Sequence, residues 1–139
     1  CGVGLFALFL ADRAEQVYGI EESHTAIADA EHNAAANRIS NIRFIRGKAE
    51  DELPTVTETE EGIDLVIVDP PRSGCDPDVL RTISSCEPER MIYVSCNVKT
   101  LARDLALLRE LGYQTTGIRP VDMFPHTYHI ECVAMCEKL

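Results

Sequence analysis

Ile63-Asp64-Leu65-Val66-Ile67-Val68-Asp69-Pro70-Pro71 is the stretch on which the fold turns. Its aliphatic run, without polar alternation, reads as a strand buried on both faces, the pattern of a parallel sheet covered by helices. Two consecutive prolines cannot donate to a ladder, so the strand stops there and Asp69 stands at its carboxyl end. Ligands collect at that edge of open α/β sheets. A charged residue directly after mostly apolar ones reads as a site residue, and a turn-capping aspartate is the plainer alternative.

The β-then-α alternation continues on both sides of this strand. Residues 16–21, 42–46 and 91–95 read as further strands, and residues 5 to about 14, 23–37, 76–86 and 100–111 as helices. Ser23 suits an N-cap, Pro77 a first helical turn and Gly112 a stop. The acidic segment holding Glu50, Asp51, Glu52, Glu58, Glu60 and Glu61 reads as a short solvated helix over 49–53 and a loop to Gly62. Residues 113–121 and 130–137 are joined by a loop too short for a helical crossover, so these two strands are expected to be antiparallel. The fold expected is one α/β domain over residues 1–139, with a Rossmann-like, mostly parallel sheet and an antiparallel last strand. Cys1-Gly2-Val3-Gly4 opens the chain as a glycine loop without a strand before it. The chain therefore reads as the C-terminal fragment of a larger protein, with the first strand missing.

A chain of 139 residues with 45% hydrophobic content can bury one core. The longest apolar run, Leu5 to Ala11, is too short for a bilayer and no charged segment precedes it, so a cytoplasmic, non-membrane protein is expected. Six irregularly spaced cysteines with no C-x-x-C point to reduced thiols rather than disulfides, zinc or an iron–sulfur cluster. A net charge of −10 opposes binding to a polyanion, though it leaves room for a local basic site.

Three further motifs carry chemistry. Gly2-Val3-Gly4-Leu5-Phe6-Ala7 fits G-x-G-x-x-G/A, with Glu21 as the acid ending the next strand, a grip that serves nicotinamide dinucleotides and S-adenosylmethionine alike. Ser95-Cys96-Asn97 follows the apolar Met91-Ile92-Tyr93-Val94 and precedes a helix with Leu101, Leu105 and Leu108 on one side and Arg103, Asp104 and Arg109 on the other. The positive helix start and Lys99 would favour a thiolate at Cys96, which reads as a nucleophile or as a small core residue. His126-Thr127-Tyr128-His129-Ile130-Glu131 puts His129 and Glu131 on one strand face. Metal ligation there lacks a third donor, and Glu131 is either a general base or a surface strand charge.

In this order, C-G-V-G, V-Y-G-I-E, D-P-P-R-S-G, V-S-C-N and H-T-Y-H-I-E resemble the RNA 5-methyluridine methyltransferases, the uracil-C5 family acting on tRNA and ribosomal RNA with S-adenosylmethionine. The resemblance implies a class I methyltransferase fold, with Cys96 attacking uracil C6 and Glu131 removing the C5 proton. It implies that Asp69 serves both catalysis and the cofactor, that Arg72 and Asn97 meet the substrate, and that Gly2, Gly4 and Glu21 hold S-adenosylmethionine. Asp51 is a candidate for the adenine end, although a surface helix charge explains it equally well. The RNA partner would be bound mainly through an N-terminal region outside this chain, and no metal is implied. Amino-group methyltransferases carry N-P-P-Y or D-P-P-Y where Arg72 stands here. Cytosine-C5 enzymes place their cysteine in D-A-P-C, so Cys75 reads as loop or helix-start packing. A nicotinamide oxidoreductase is supported by the glycine loop and Glu21 alone, and a cofactor-binding module inactive as a fragment is the remaining alternative.

Overall fold

Val17–Glu21 (β1) and Ile42–Arg46 (β2) pair in parallel, from Val17 opposite Ile42 to Glu21 opposite Arg46. They belong to the first of two compact units, Cys1–Glu58 and Thr59–Leu139, in a computed structural model that describes residues 1–59, 62–123 and 125–139. The acidic Glu60 and Glu61 lie outside the described residues. In this first unit α1 is Leu5–Leu10, α2 His24–Ala36 and α3 Ala49–Thr59. Ser23 caps α2 as its sequence predicts, its Oγ accepting from the N–H of Ala26 at 3.4 Å, and Ile27, Ala30 and Ala34 form the buried stripe. Gly4, at φ +85°, starts α1 where a Cβ would lie 3.0–3.2 Å from the Phe44 ring and Ala30, so only glycine lets the loop pass this close.

Two helices depart from the sequence expectation. The α1 helix is six residues long and runs into a 3₁₀ turn over Ala11–Arg13; Ala7 and Ala11 are buried while Leu5, Phe6 and Phe9 are exposed. Small side chains at i and i+4 make its packed face, and the large apolar ones point away from it. The helix over the acidic segment does not end at Leu53 but passes through Pro54 to Thr59. Leu53 and Val56, three apart on one face, are both buried, and Thr57 Oγ1 donates to the Pro54 carbonyl at 2.7 Å. That burial outweighs the backbone bond the proline cannot make.

The second unit contains β3 (Leu65–Val68), α4 (Pro77–Ser85), β4 (Arg90–Ser95), α5 (Val98–Glu110), β5 (Tyr113–Val121) and β6 (Glu131–Lys138). Its sheet runs β3-β4-β6-β5, with β3 parallel to β4 and β6 antiparallel to both neighbours. The expected antiparallel pair is present, and β6 lies between β4 and β5 rather than outside them. Met91, Tyr93 and Ser95 of β4 and Cys132, Ala134 and Cys136 of β6 alternate onto one buried face. Leu80 and Ile83 of α4 and Leu101 and Leu108 of α5 supply the helical part of this core. Each helix has its cap: Asp76 accepts from Asp78 N, and Asn97 from Lys99 N. All six cysteines are unbridged, and no helix among the described residues is long and apolar enough to cross a membrane.

Candidate active site

Strand register assembles the site. Val68 lies opposite Tyr93, which carries Asp69 to the level of Val94, and Val94 lies opposite Val133. Ser95 lies opposite Cys132, so continuing the same register one step puts Cys96 level with Glu131, which itself pairs with Val121. Side chains alternate, so Asp69, Val94, Cys96, Glu131, Val133 and Val121 share the face opposite the buried core. They line, with Met123, a recess of about 440 Å³ at the carboxyl ends of β3 and β4. A thiol and two carboxylates thus meet in a pocket whose other walls are apolar. Asp69 remains open to solvent, and desolvation by its surroundings raises its carboxyl pKa above the ordinary value.

Cys96 sits in a tight turn clamped from both sides. The Oγ of buried Ser95 donates to the Asn97 carbonyl and accepts from the Asn97 N–H, both at 3.1 Å. This bridges the cysteine and leaves its half-buried side chain directed by the end of β4. Asn97, expected at the substrate, uses its amide inside the protein: Oδ1 caps α5, and Nδ2 donates to the Arg72 carbonyl at 3.0 Å. Thr100 Oγ1 donates to the same carbonyl at 3.3 Å. The D-P-P-R loop is therefore fastened to the cysteine turn, and the exposed Arg72 guanidinium reaches His129, with Nη2 3.4 Å from Nδ1.

Behind this loop lies a network that the sequence reading misplaced. Asp104, expected on the polar side of α5, is buried. Its Oδ2 accepts from the Cys75 N–H at 2.9 Å and from the Tyr93 hydroxyl in a short bond, and its Oδ1 accepts from Arg103 Nε at 2.8 Å. Arg103 Nη2 donates on to the carbonyls of Ser73 and Cys75 at 3.0 and 3.2 Å, so this arginine holds the loop instead of standing free for a phosphate. Gly74, at φ +81°, is required here, because a Cβ would lie 2.5 Å from Asp104 Oδ2 and 2.6 Å from Arg103 Nη2. The signal was available, since Asp104 falls at i+3 in the Leu101–Leu105–Leu108 stripe. Removing its carboxylate would leave the buried Tyr93 hydroxyl without its acceptor and the Cys75 N–H with only that hydroxyl, 3.1 Å away, to donate to. Asp104→Ala is expected to lower stability by about 3–5 kcal/mol and Tyr93→Phe by about 1–2 kcal/mol, as read by urea unfolding. Cys75 behaves as packing: it is buried, and desolvation pushes its thiol up to about 11.

In the first unit Glu21 ends β1 and organises the glycine loop. Its Oε2 accepts from the N–H of Gly2 at 2.8 Å and its Oε1 from the N–H of Ser23 at 3.0 Å. Those bonds, Ser23 first, together with the terminal ammonium of Cys1, hold its pKa down to about 2. Asp51 is exposed in the first turn of α3, where a negative charge suits the helix dipole.

The model of a family described as tRNA (Uracil-5-)-methyltransferase matches residues 1–139. An uncharacterized RNA methyltransferase of Caldanaerobacter subterraneus is 50% identical over 138 residues, which cover 99% of this chain and 30% of that protein. The crystal structure of the Pyrococcus abyssi tRNA (uracil-54, C5)-methyltransferase in complex with S-adenosyl-L-homocysteine is similar at a TM-score of 0.80 and 36% identity, covering 97% of this chain and 32% of that one. Aeropyrum pernix fibrillarin, solved with natively bound S-adenosyl-L-methionine, shares the fold at a TM-score of 0.73 and 17% identity, covering 96% of this chain and 62% of that one. The chain spans about 30% of the length of the curated relatives it matches.

Proposed function

The chain belongs to the tRNA (uracil-5-)-methyltransferase family, and from that membership we propose that it carries the reacting residues of an S-adenosylmethionine-dependent enzyme that methylates C5 of a uridine in RNA. The observation that carries this reading is the meeting of Cys96 and Glu131 with Asp69 in one recess. Similarity to an enzyme of tRNA uracil-54 favours tRNA as the substrate.

Uracil C5 is too weakly nucleophilic to accept a methyl group unaided. A bond from Cys96 Sγ to C6 moves the C5=C6 electron pair onto C5 and, by resonance, onto O4 as an enolate. S-adenosylmethionine, when bound, supplies the electrophilic sulfonium methyl group for C5. The Glu131 carboxylate then accepts the C5 proton, the C5=C6 bond reforms and the Cys96–C6 bond breaks, which returns the thiolate. Asp69 and Arg72 orient the uracil ring, and the Ser95–Asn97 clamp keeps Cys96 in reach.

The residues present fit the cofactor. Glu21 is an anion at neutral pH; its Oε2 accepts from the Gly2 N–H and the Cys1 amino group, while Oε1, accepting from the Ser23 N–H, has a further lone-pair direction that suits a ribose hydroxyl. Gly2, Gly4 and Glu21 would hold S-adenosylmethionine, with Asp51 the candidate for its adenine end. The test is to incubate the full-length protein with total RNA and methyl-labelled S-adenosylmethionine and to digest the RNA to nucleosides. Label is expected in 5-methyluridine. Label in 5-methylcytidine or in an N-methylated base would overturn the proposal.

A further inference from the structure

Tyr128 is 92% exposed, more than any other large apolar or aromatic side chain among the described residues. It is not isolated. Its ring centroid lies 4.3 Å from that of His129 at an interplanar angle of 46°, and Arg72 Nη2 lies 3.4 and 3.5 Å from the two nitrogens of the same imidazole. The loop presenting them is held in shape: the His129 N–H donates to Thr127 Oγ1 at 3.2 Å, and His126 adopts φ +67°, which costs a non-glycine residue energy. Tyr128 lies three positions before Glu131 and Arg72 three positions after Asp69, so the assembly joins the two loops that deliver the carboxylates of the recess.

We propose that Tyr128, backed by His129 and Arg72, is a stacking platform for one nucleobase flanking the uridine that enters the recess. The proposal rests on the RNA reading given above and adds a binding subsite to it. An exposed ring is a surface that single-stranded RNA exploits, because every base has a face to stack whatever its sequence, and here the ring leans on an imidazole that a guanidinium contacts. Charge gives a further reason. At a net −10 the chain gains little from phosphate neutralisation, and Arg103 is already engaged by Asp104, so base stacking would add a contact that does not depend on charge. A uridine extruded into the recess also leaves its neighbours unstacked, and the platform would replace one of the lost partners.

The experiment uses the full-length protein and its RNA substrate in three forms: intact, and abasic at the position on either side of the target uridine. With intact RNA, Tyr128→Ala is expected to weaken binding roughly tenfold, and Tyr128→Phe to restore it. With one of the abasic RNAs the wild type loses about the same factor, and Tyr128→Ala loses nothing more. Wild-type affinity of Tyr128→Ala for intact RNA, or a loss that persists in full with both abasic RNAs, overturns the platform. A drop in thermal stability of Tyr128→Ala without RNA also overturns it, since the ring would then be covered by protein. Failure of the functional reading is separate: the wild type would form no 5-methyluridine, whereas failure of the platform alone leaves that product intact.

Discussion

Cys96→Ala in the full-length enzyme is expected to lower uridine methylation by at least about 10⁴-fold and to abolish the covalent complex with RNA containing 5-fluorouridine. Fluorine at C5 cannot leave as a proton does, so an enzyme that attacks C6 stays attached to such RNA, and a gel that survives denaturation reads the adduct directly. Cys75→Ala is expected to leave both activities intact. The two thiols differ physically: Cys96 lines the recess with Asp69 and Glu131, whereas Cys75 is buried with its thiol pushed up to about 11 and contributes its backbone N–H to Asp104. A dead Cys75→Ala with an active Cys96→Ala would point to cytosine-type chemistry. Full activity in both would remove covalent catalysis.

In the proposed mechanism Glu131→Gln separates the two halves of the reaction. The amide keeps the shape of the side chain but cannot take the C5 proton, so the adduct is expected to form, receive its methyl group and fail to resolve. The expected result is a denaturation-resistant protein–RNA complex carrying the methyl label, with turnover down by roughly 10²–10⁴-fold. A slow variant that traps no complex would place the base elsewhere. His126 and His129 are then the first to test, with His129 already contacting Arg72.

What could be read from the sequence was mostly local. Ser23 and Gly112 mark helix ends, and the short loop after Val121 makes β5 and β6 antiparallel, because these depend on residues close together in the chain. The positions of two candidates could be placed for the same reason: a strand delivers whatever follows it to its own carboxyl end, so Asp69 and Cys96 stand where β3 and β4 end, without knowledge of the sheet order. What was not legible needed contacts between distant segments. That β6 enters between β4 and β5 depends on pairings across some forty residues. The inward use of Asn97 depends on a carbonyl 25 positions away, and α3 continues through Pro54 because Leu53 and Val56 are buried. Asp104 was misread for a different reason, since a buried carboxylate is stable only beside donors such as Tyr93 and Arg103, and its own type gives no sign of them.

The order of the second sheet bears on how an active molecule can be made at all. β5 joins the sheet through β6 alone, so in a growing chain β4 keeps one row of amides unpaired and β5 has no strand to pair with until residues 131–138 emerge. The same event brings Glu131 level with Cys96. In the proposed mechanism, nucleophile and base therefore come together only in the step that completes the sheet.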